Sequence, residues 1–172
     1  DVAAAMGKFK GTELLTELLA YLDDKAPEVQ AAAITSLGQR GEAGSWNKIK
    51  GMVKSKDAGI RSAVLGALAA LVAKDDKQGV REVISLLGGG VADSELSVQI
   101  AAVTALGLFK SDAAVTSMAL HLNSDEEDLQ LATIAALGNS GFPGAIDLLG
   151  TVVDSPSKKV RRATIIALGD LK

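Results

Sequence analysis

The sequence predicts an all-α fold built from tandem helix pairs, about five of them in 172 residues. Three observations carry this reading. Leucines recur at a fixed step inside a common phrase. The apolar residues around each leucine fall at helical spacings. The hydrophobic residues, 48% of the chain, are almost all aliphatic, because aromatics amount to only 3%. Ala and Leu are strong helix formers, whereas sheets lean on aromatic and β-branched side chains.

The recurring phrase is AAITSLG ending at Gly38, SAVLGALA at Ala69, AAVTALG at Gly107, ATIAALG at Gly138 and ATIIALG at Gly169. Its key leucines, Leu37, Leu68, Leu106, Leu137 and Leu168, are separated by 31, 38, 31 and 31 residues. One further step of 31 back reaches Met6-Gly7, which opens a partial sixth copy. Counting from each key Leu, position −8 holds Val29, Ile60, Val98, Leu129 and Val160. Position −5 is always Ala: Ala32, Ala63, Ala101, Ala132 and Ala163. Position −3 holds Ile34, Leu65, Val103, Ile134 and Ile165, and position −1 holds Ser36, Ala67, Ala105, Ala136 and Ala167. These spacings form one apolar stripe of a helix, here helix A. The small residues at −5 and −1 are expected to share a face and admit a neighbouring helix closely.

Each helix A is followed by a Gly-containing turn and a second periodic segment, helix B. Its stripe reads Leu15, Leu18, Leu22; Trp46, Ile49, Val53; Val115, Met118, Leu122; and Ile146, Leu149, Val153. In the second full unit the same pattern, Val80, Val83, Leu87, is displaced by three residues. The A–B turn there is longer, and Gly88-Gly89-Gly90 is expected to be a flexible insertion taking up the rest of the 38-residue step. The expected A helices lie near 1–9, 27–39, 58–74, 94–109, 126–139 and 157–171. The expected B helices lie near 12–22, 44–54, 77–87, 112–122 and 143–153. Pro27 and Pro156 suit a first helical turn. Ser124-x-x-Glu127 reads as a capping box and Asp75-x-x-Gln78 as a looser one. Gly11, Gly41 and Gly141 fall in A–B turns where a left-handed residue is expected. The units run approximately 1–24, 25–55, 56–92, 93–123, 124–154 and 155–172, as a single solenoid.

The unit resembles the short HEAT-like repeat of the phycobilisome-lyase type. The residues that carry the resemblance are the run from Asp24 through Val29, Ala32 and Ala33 to Leu37-Gly38, and Val160-Arg161-Arg162-Ala163 running into Leu168-Gly169. It implies a right-handed α-α superhelix of HEAT/armadillo-like type, with the B helices along a concave face that commonly binds proteins. Because the sequence begins inside one helix A and stops at the end of another, with no obvious polar cap on either, the chain is expected to be a segment of a longer array in end-to-end contact with the rest, or to have an end covered by another domain or chain. The family often has Arg just after the aliphatic that opens helix A. Arg61 and Arg161 keep it, whereas Gln30, Gln99 and Gln130 replace it, so a continuous Asp–Arg ladder between units is not expected.

The residues offer little catalytic chemistry. The chain has no Cys and one His, His121. Metal-dependent hydroxylases of similar architecture draw His-Glu pairs from several units, and one imidazole cannot build such a site. A net charge of −3 with one Trp and one Tyr disfavours nucleic-acid binding. No apolar run reaches the ~20 residues that cross a bilayer. Gly88-Gly89-Gly90 lacks the Lys and spacing of a phosphate loop. Ser111, Ser117 and Ser124 have no His and acid at a triad-like spacing. His121 reads as a boundary residue beside the helix B stripe, and Trp46 as core packing. Asp125 to Asp128 read as a helix start, and Lys158, Lys159, Arg161 and Arg162 as a solvated helix surface or an inter-domain contact. No metal or other cofactor is expected.

A partner is expected on the helix B face opposite its apolar stripe. There Leu120 and Leu148 interrupt a polar surface, bordered by Thr116, Ser117 and Thr151, with Lys48 and Arg81 at equivalent offsets in earlier units. The expected function is a non-catalytic scaffold that binds a protein or peptide, or spaces domains. The alternative is a bilin-lyase-like or chaperone-like subunit acting on a partner protein.

Overall fold

The computed structural model describes residues 12–171, and among them there are ten α-helices and no strand. The A helices are α2 (Pro27–Arg40), α4 (Ala58–Leu71), α6 (Leu96–Leu106), α8 (Glu127–Asn139) and α10 (Lys158–Asp170). The B helices are α1 (Thr12–Ala20), α3 (Trp46–Gly51), α5 (Lys77–Val91), α7 (Asp112–Ala119) and α9 (Ala145–Gly150). The expected helix near 1–9 and the turn at Gly11 lie outside the described residues. The chain divides into two compact units, Asp1–Val83 and Ile84–Lys172, and the division falls within α5. In the first unit α2 packs on α4; in the second, α6 packs on α8 and α8 on α10.

The register of helix A holds where it matters most. Leu37, Leu68, Leu106 and Leu137 are sealed from solvent, as are Ile34, Val103 and Ile134 at −3. Two positions correct the sequence reading. The −5 alanines, Ala32, Ala63, Ala101, Ala132 and Ala163, are all half-buried, whereas Ala33, Val64, Ala102, Thr133 and Thr164 at −4 are sealed. Helical geometry explains the exchange: five residues carry a side chain about 140° round from the key Leu, while four bring it back to within about 40°. The sealed hydroxyls of Thr133 and Thr164 donate to the Leu129 and Val160 carbonyls one turn back, at 2.8 Å each. The second correction is in α10, where Ile165 is 62% exposed and the key leucine Leu168 is only half-buried. Among the described residues no later A helix lies against α10.

Close approach of successive A helices occurs at the residue after the key Leu. A Cβ on Gly38 would stand 2.8 Å from the Ala67 Cα, and one on Gly138 would stand 2.8 Å from the Ala167 Cα. The small residue at −1 is therefore the contact that the sequence predicts, and its partner is glycine.

In the B helices Leu18, Ile49, Met118 and Leu149 are sealed, with Val83 and Leu87 in the displaced unit. The first stripe position is less buried than expected: Leu15 and Trp46 are half-buried and Ile146 is exposed. The residues just before Trp46, Val115 and Ile146, namely Ser45, Ala114 and Ala145, take the buried place.

Gly41 and Gly141 adopt φ of 70° and 61°, the left-handed turn expected of them. Gly88-Gly89-Gly90 is not a flexible insertion: α5 continues through it to Val91, which is buried. The extra residues are spent on one more helical turn, held by Leu87 and Val91 in the core. Helix starts also shift. Pro27 is the first residue of α2, but Pro156 lies outside α10, whose N-cap is Ser157. Asp76 rather than Asp75 caps α5, its Oδ1 accepting from the Gly79 N–H at 2.9 Å. Ser124 closes a turn on the Glu126 N–H instead of forming a capping box.

Candidate functional site

The expected partner residues sit on the B-helix side of both units. Lys48 and Arg81 belong to the first unit; Thr116, Ser117, Leu120, Leu148 and Thr151 belong to the second. Leu120 is the C-cap of α7 and is 75% exposed, the most open large hydrophobic among the described residues. Leu148, in α9, is half-buried, which corrects its expected exposure. Thr116 is exposed. The hydroxyls of Ser117 and Thr151 turn inward on their own helices, donating to the carbonyls of Ala113 at 2.9 Å and Leu148 at 2.6 Å. Lys48 Nζ is engaged by the Asp23 carboxylate at 2.7 Å and the Leu19 carbonyl at 3.1 Å. Arg81 is exposed. Within the second unit the B-helix residues thus include one widely open leucine, Leu120, the exposed Thr116 and hydroxyls that are bonded back to their own helices.

The turns between units carry a device that the phrase-matching overlooked. Thirteen residues before each key Leu stands Asp or Ser: Asp24, Ser55, Asp93, Ser124 and Ser155. Each side chain accepts from the backbone N–H two residues on, at 2.8 to 3.3 Å. Seven before the key Leu stands Gln or Arg, which donates to carbonyls of the same turn. Gln30 reaches the Asp24 carbonyl, Gln99 that of Asp93 and Gln130 that of Leu122. Arg61 spans the carbonyls of Ser55 and Lys56, and Arg161 those of Ser155 and Pro156. Gln and Arg are thus interchangeable donors that brace a turn, which explains why the replacement of Arg is tolerated. The signal was legible as a shared Asp/Ser six residues before a shared Gln/Arg.

The basic cluster at the start of α10 disperses into separate roles. Arg161 braces its turn. Lys159 Nζ lies 2.6 Å from a Glu127 carboxylate oxygen on α8. Its ammonium is held above the ordinary lysine range, first by that hydrogen bond, then by the charge of Glu127 and more weakly that of Asp128, against slight desolvation. Lys158 and Arg162 are exposed. The acidic run marks the start of α8, as expected, with Glu126 as N-cap. His121 is half-buried, as expected of a boundary residue, and its Nε2 lies 2.7 Å from the Val91 carbonyl at the end of α5. Trp46 lines a small open cleft with Leu71, Val72 and Asp76. Among the described residues no group of three His, Cys, Asp or Glu side chains is placed to hold a metal ion, and no helix is long and apolar enough to cross a membrane.

The family model for HEAT repeats matches residues 1–69 and 116–172, most of the chain. The chain belongs to the HEAT-repeat family. The unmatched stretch of this HEAT-repeat protein contains the lengthened turn and the extended α5. A search of curated protein sequences returns no match. Solved structures resemble it in fold. CpcE and CpcF of phycocyanin lyase from Nostoc sp. PCC7120, as a complex, share 19% identity over 91% of this chain and 99% of that one, with a TM-score of 0.68. A designed armadillo repeat protein in complex with the peptide (KR)4 shares 17% identity over 99% of this chain and 90% of that one, with a TM-score of 0.70. Human deoxyhypusine hydroxylase shares 16% identity over 98% of this chain and 77% of that one, with a TM-score of 0.53. At these identities the likeness establishes an all-α, armadillo/HEAT-type fold.

Proposed function

We propose that this HEAT-repeat chain is a non-catalytic scaffold that holds a protein or peptide on its B-helix side. The observation that carries the proposal is Leu120, 75% exposed between polar neighbours on α7. An open leucine costs little by itself, but it offers a partner side chain an apolar contact that desolvates readily. In the same compact unit Thr116 offers an exposed polar contact and Leu148 a partly covered apolar one. The peptide-bound designed armadillo protein supports the reading as a use to which such a fold is put.

The test is a photo-crosslinking residue placed at position 120, with a second at the exposed Thr35 on an A helix as control. A partner crosslinked from position 120 and lost on competition with unmodified chain is the expected result. Leu120→Ser should leave stability within about 0.5 kcal/mol and weaken capture of that partner. A large fall in melting temperature, or equal crosslinking from both positions, contradicts the proposal.

The likeness to the CpcE–CpcF complex favours one alternative, a lyase-like or chaperone-like subunit acting on a partner protein. Pigment attachment to a bilin-carrying acceptor, measured with and without this chain, separates it from a passive scaffold.

A further inference from the structure

We infer that a second surface, the cleft between α8 and α10 on the A-helix side, binds an acidic, aliphatic-bearing peptide segment of a partner protein. The cleft encloses about 380 Å³ and is lined by Leu131, Lys158, Lys159, Arg162, Ala163 and Ile166. Its lining is thus half aliphatic and half cationic.

Two observations set it apart from an ordinary helix surface. The first is Ile166, 51% exposed. It stands two residues before the key Leu, a position that is exposed in every described A helix and is filled elsewhere by Thr35, Gly66, Thr104 and Ala135. Its exposure therefore follows from the repeat register, and its size departs from it. A similar cleft between α2 and α4 is lined there by Thr35 and Gly66 and has no aliphatic larger than Ala.

The second observation is charge. Lys158, Arg162 and Ile166 follow one another at four-residue intervals, so they form a single row along α10. Lys159 is already taken by Glu127, whereas Lys158 and Arg162 have no carboxylate partner among the described residues. The next residue in the row, Asp170, lines the adjoining cleft with Ala135 and Asn139. The row thus offers two unpaired cations one turn apart and an aliphatic one turn beyond. Its complement is a segment with two carboxylates about 6 Å apart followed by Leu, Ile or Val. A nucleic acid would find two free cations and no aromatic side chain in the lining of this cleft, on a chain of net charge −3.

The experiment is fluorescence anisotropy with a labelled peptide of repeated Glu-Glu-Leu-Leu. Repeated Glu-Glu-Ser-Ser, repeated Lys-Arg, single-stranded DNA and anionic lipid vesicles serve as comparisons. The Glu-Leu peptide should bind, and its Ser counterpart should bind about tenfold more weakly, the loss of one buried aliphatic contact. Ile166→Ser should weaken the Glu-Leu peptide to the same extent. Lys158→Gln with Arg162→Gln should weaken it roughly fivefold at low salt and less at high salt. All three positions are exposed, so melting temperatures should not move. Leu120→Ser should leave this binding unchanged, which separates it from the B-helix reading. The inference is overturned if Ile166→Ser has no effect, if both acidic peptides bind alike, if DNA or vesicles bind through the same residues, or if Ile166 instead drives self-association in sedimentation.

Discussion

Gly138 and Gly66 occupy the same kind of helix and meet opposite demands. A methyl on Gly138 would collide with backbone and side chain of Ala167, whereas one on Gly66 would meet nothing within 4 Å. Glycine in a helix interior costs roughly 0.5–1 kcal/mol relative to Ala. At Gly66 nothing offsets that cost, so Gly66→Ala should stabilise by about that amount. At Gly138 overpacking outweighs it, and Gly138→Ala should destabilise by about 1–3 kcal/mol. Chemical denaturation of the two variants reads both signs, and two shifts in the same direction would refute the packing argument. The sequence pointed to this contact through its small −1 residues. It did not distinguish the −4 from the −5 position, because Ala stands at −5 throughout and so draws the eye, while the sealed −4 place varies among Ala, Val and Thr.

At the scale of elements, Arg161 offers a clean test of the braced turns. Its Nη1 donates to two carbonyls at 2.7 and 2.9 Å, whereas Gln30 and Gln99 do the equivalent work with a single donor. Arg161→Ala should cost about 1–2 kcal/mol, the loss of part-buried charge-assisted hydrogen bonds. Arg161→Gln should recover most of that. Equal losses in Ala and Gln variants, measured by denaturant unfolding, would show that charge rather than turn bracing matters. Helix identity was legible because 3.6-residue periodicity survives in every unit. Helix ends were not, since a cap depends on one hydrogen bond: Asp75 and Asp76 look alike in sequence, and only the structure shows which carboxylate faces the open N–H groups. Gly88-Gly89-Gly90 misled for a related reason. Three glycines lower helix propensity locally, but Leu87 and Val91 on either side bury enough apolar surface to carry the helix through.

Across the whole molecule the fold was legible because each structural position is stated several times over, and errors at one copy are outvoted by the rest. Binding surfaces lack that redundancy. Leu120 and Ile166 each occur once, at exposed positions, and Ile166 is conspicuous only when the five equivalent places are compared after the register is known. The same repetition shapes how the protein should lose structure. Contacts between A helices join residues one step apart, such as Gly38 with Ala67 and Gly107 with Ala136. Stability in such arrays is close to a sum of unit and nearest-neighbour contributions. Leu106 is sealed in α6, so Leu106→Ala should cost about 2–5 kcal/mol as a core cavity. The loss should be felt first near the cavity: amide hydrogen exchange should accelerate in α6 and α8 while α2 and α4 keep most of their protection. Uniform acceleration through both units would mean that the chain unfolds as one cooperative block, and a neutral Leu106→Ala would place the leucine register itself in error.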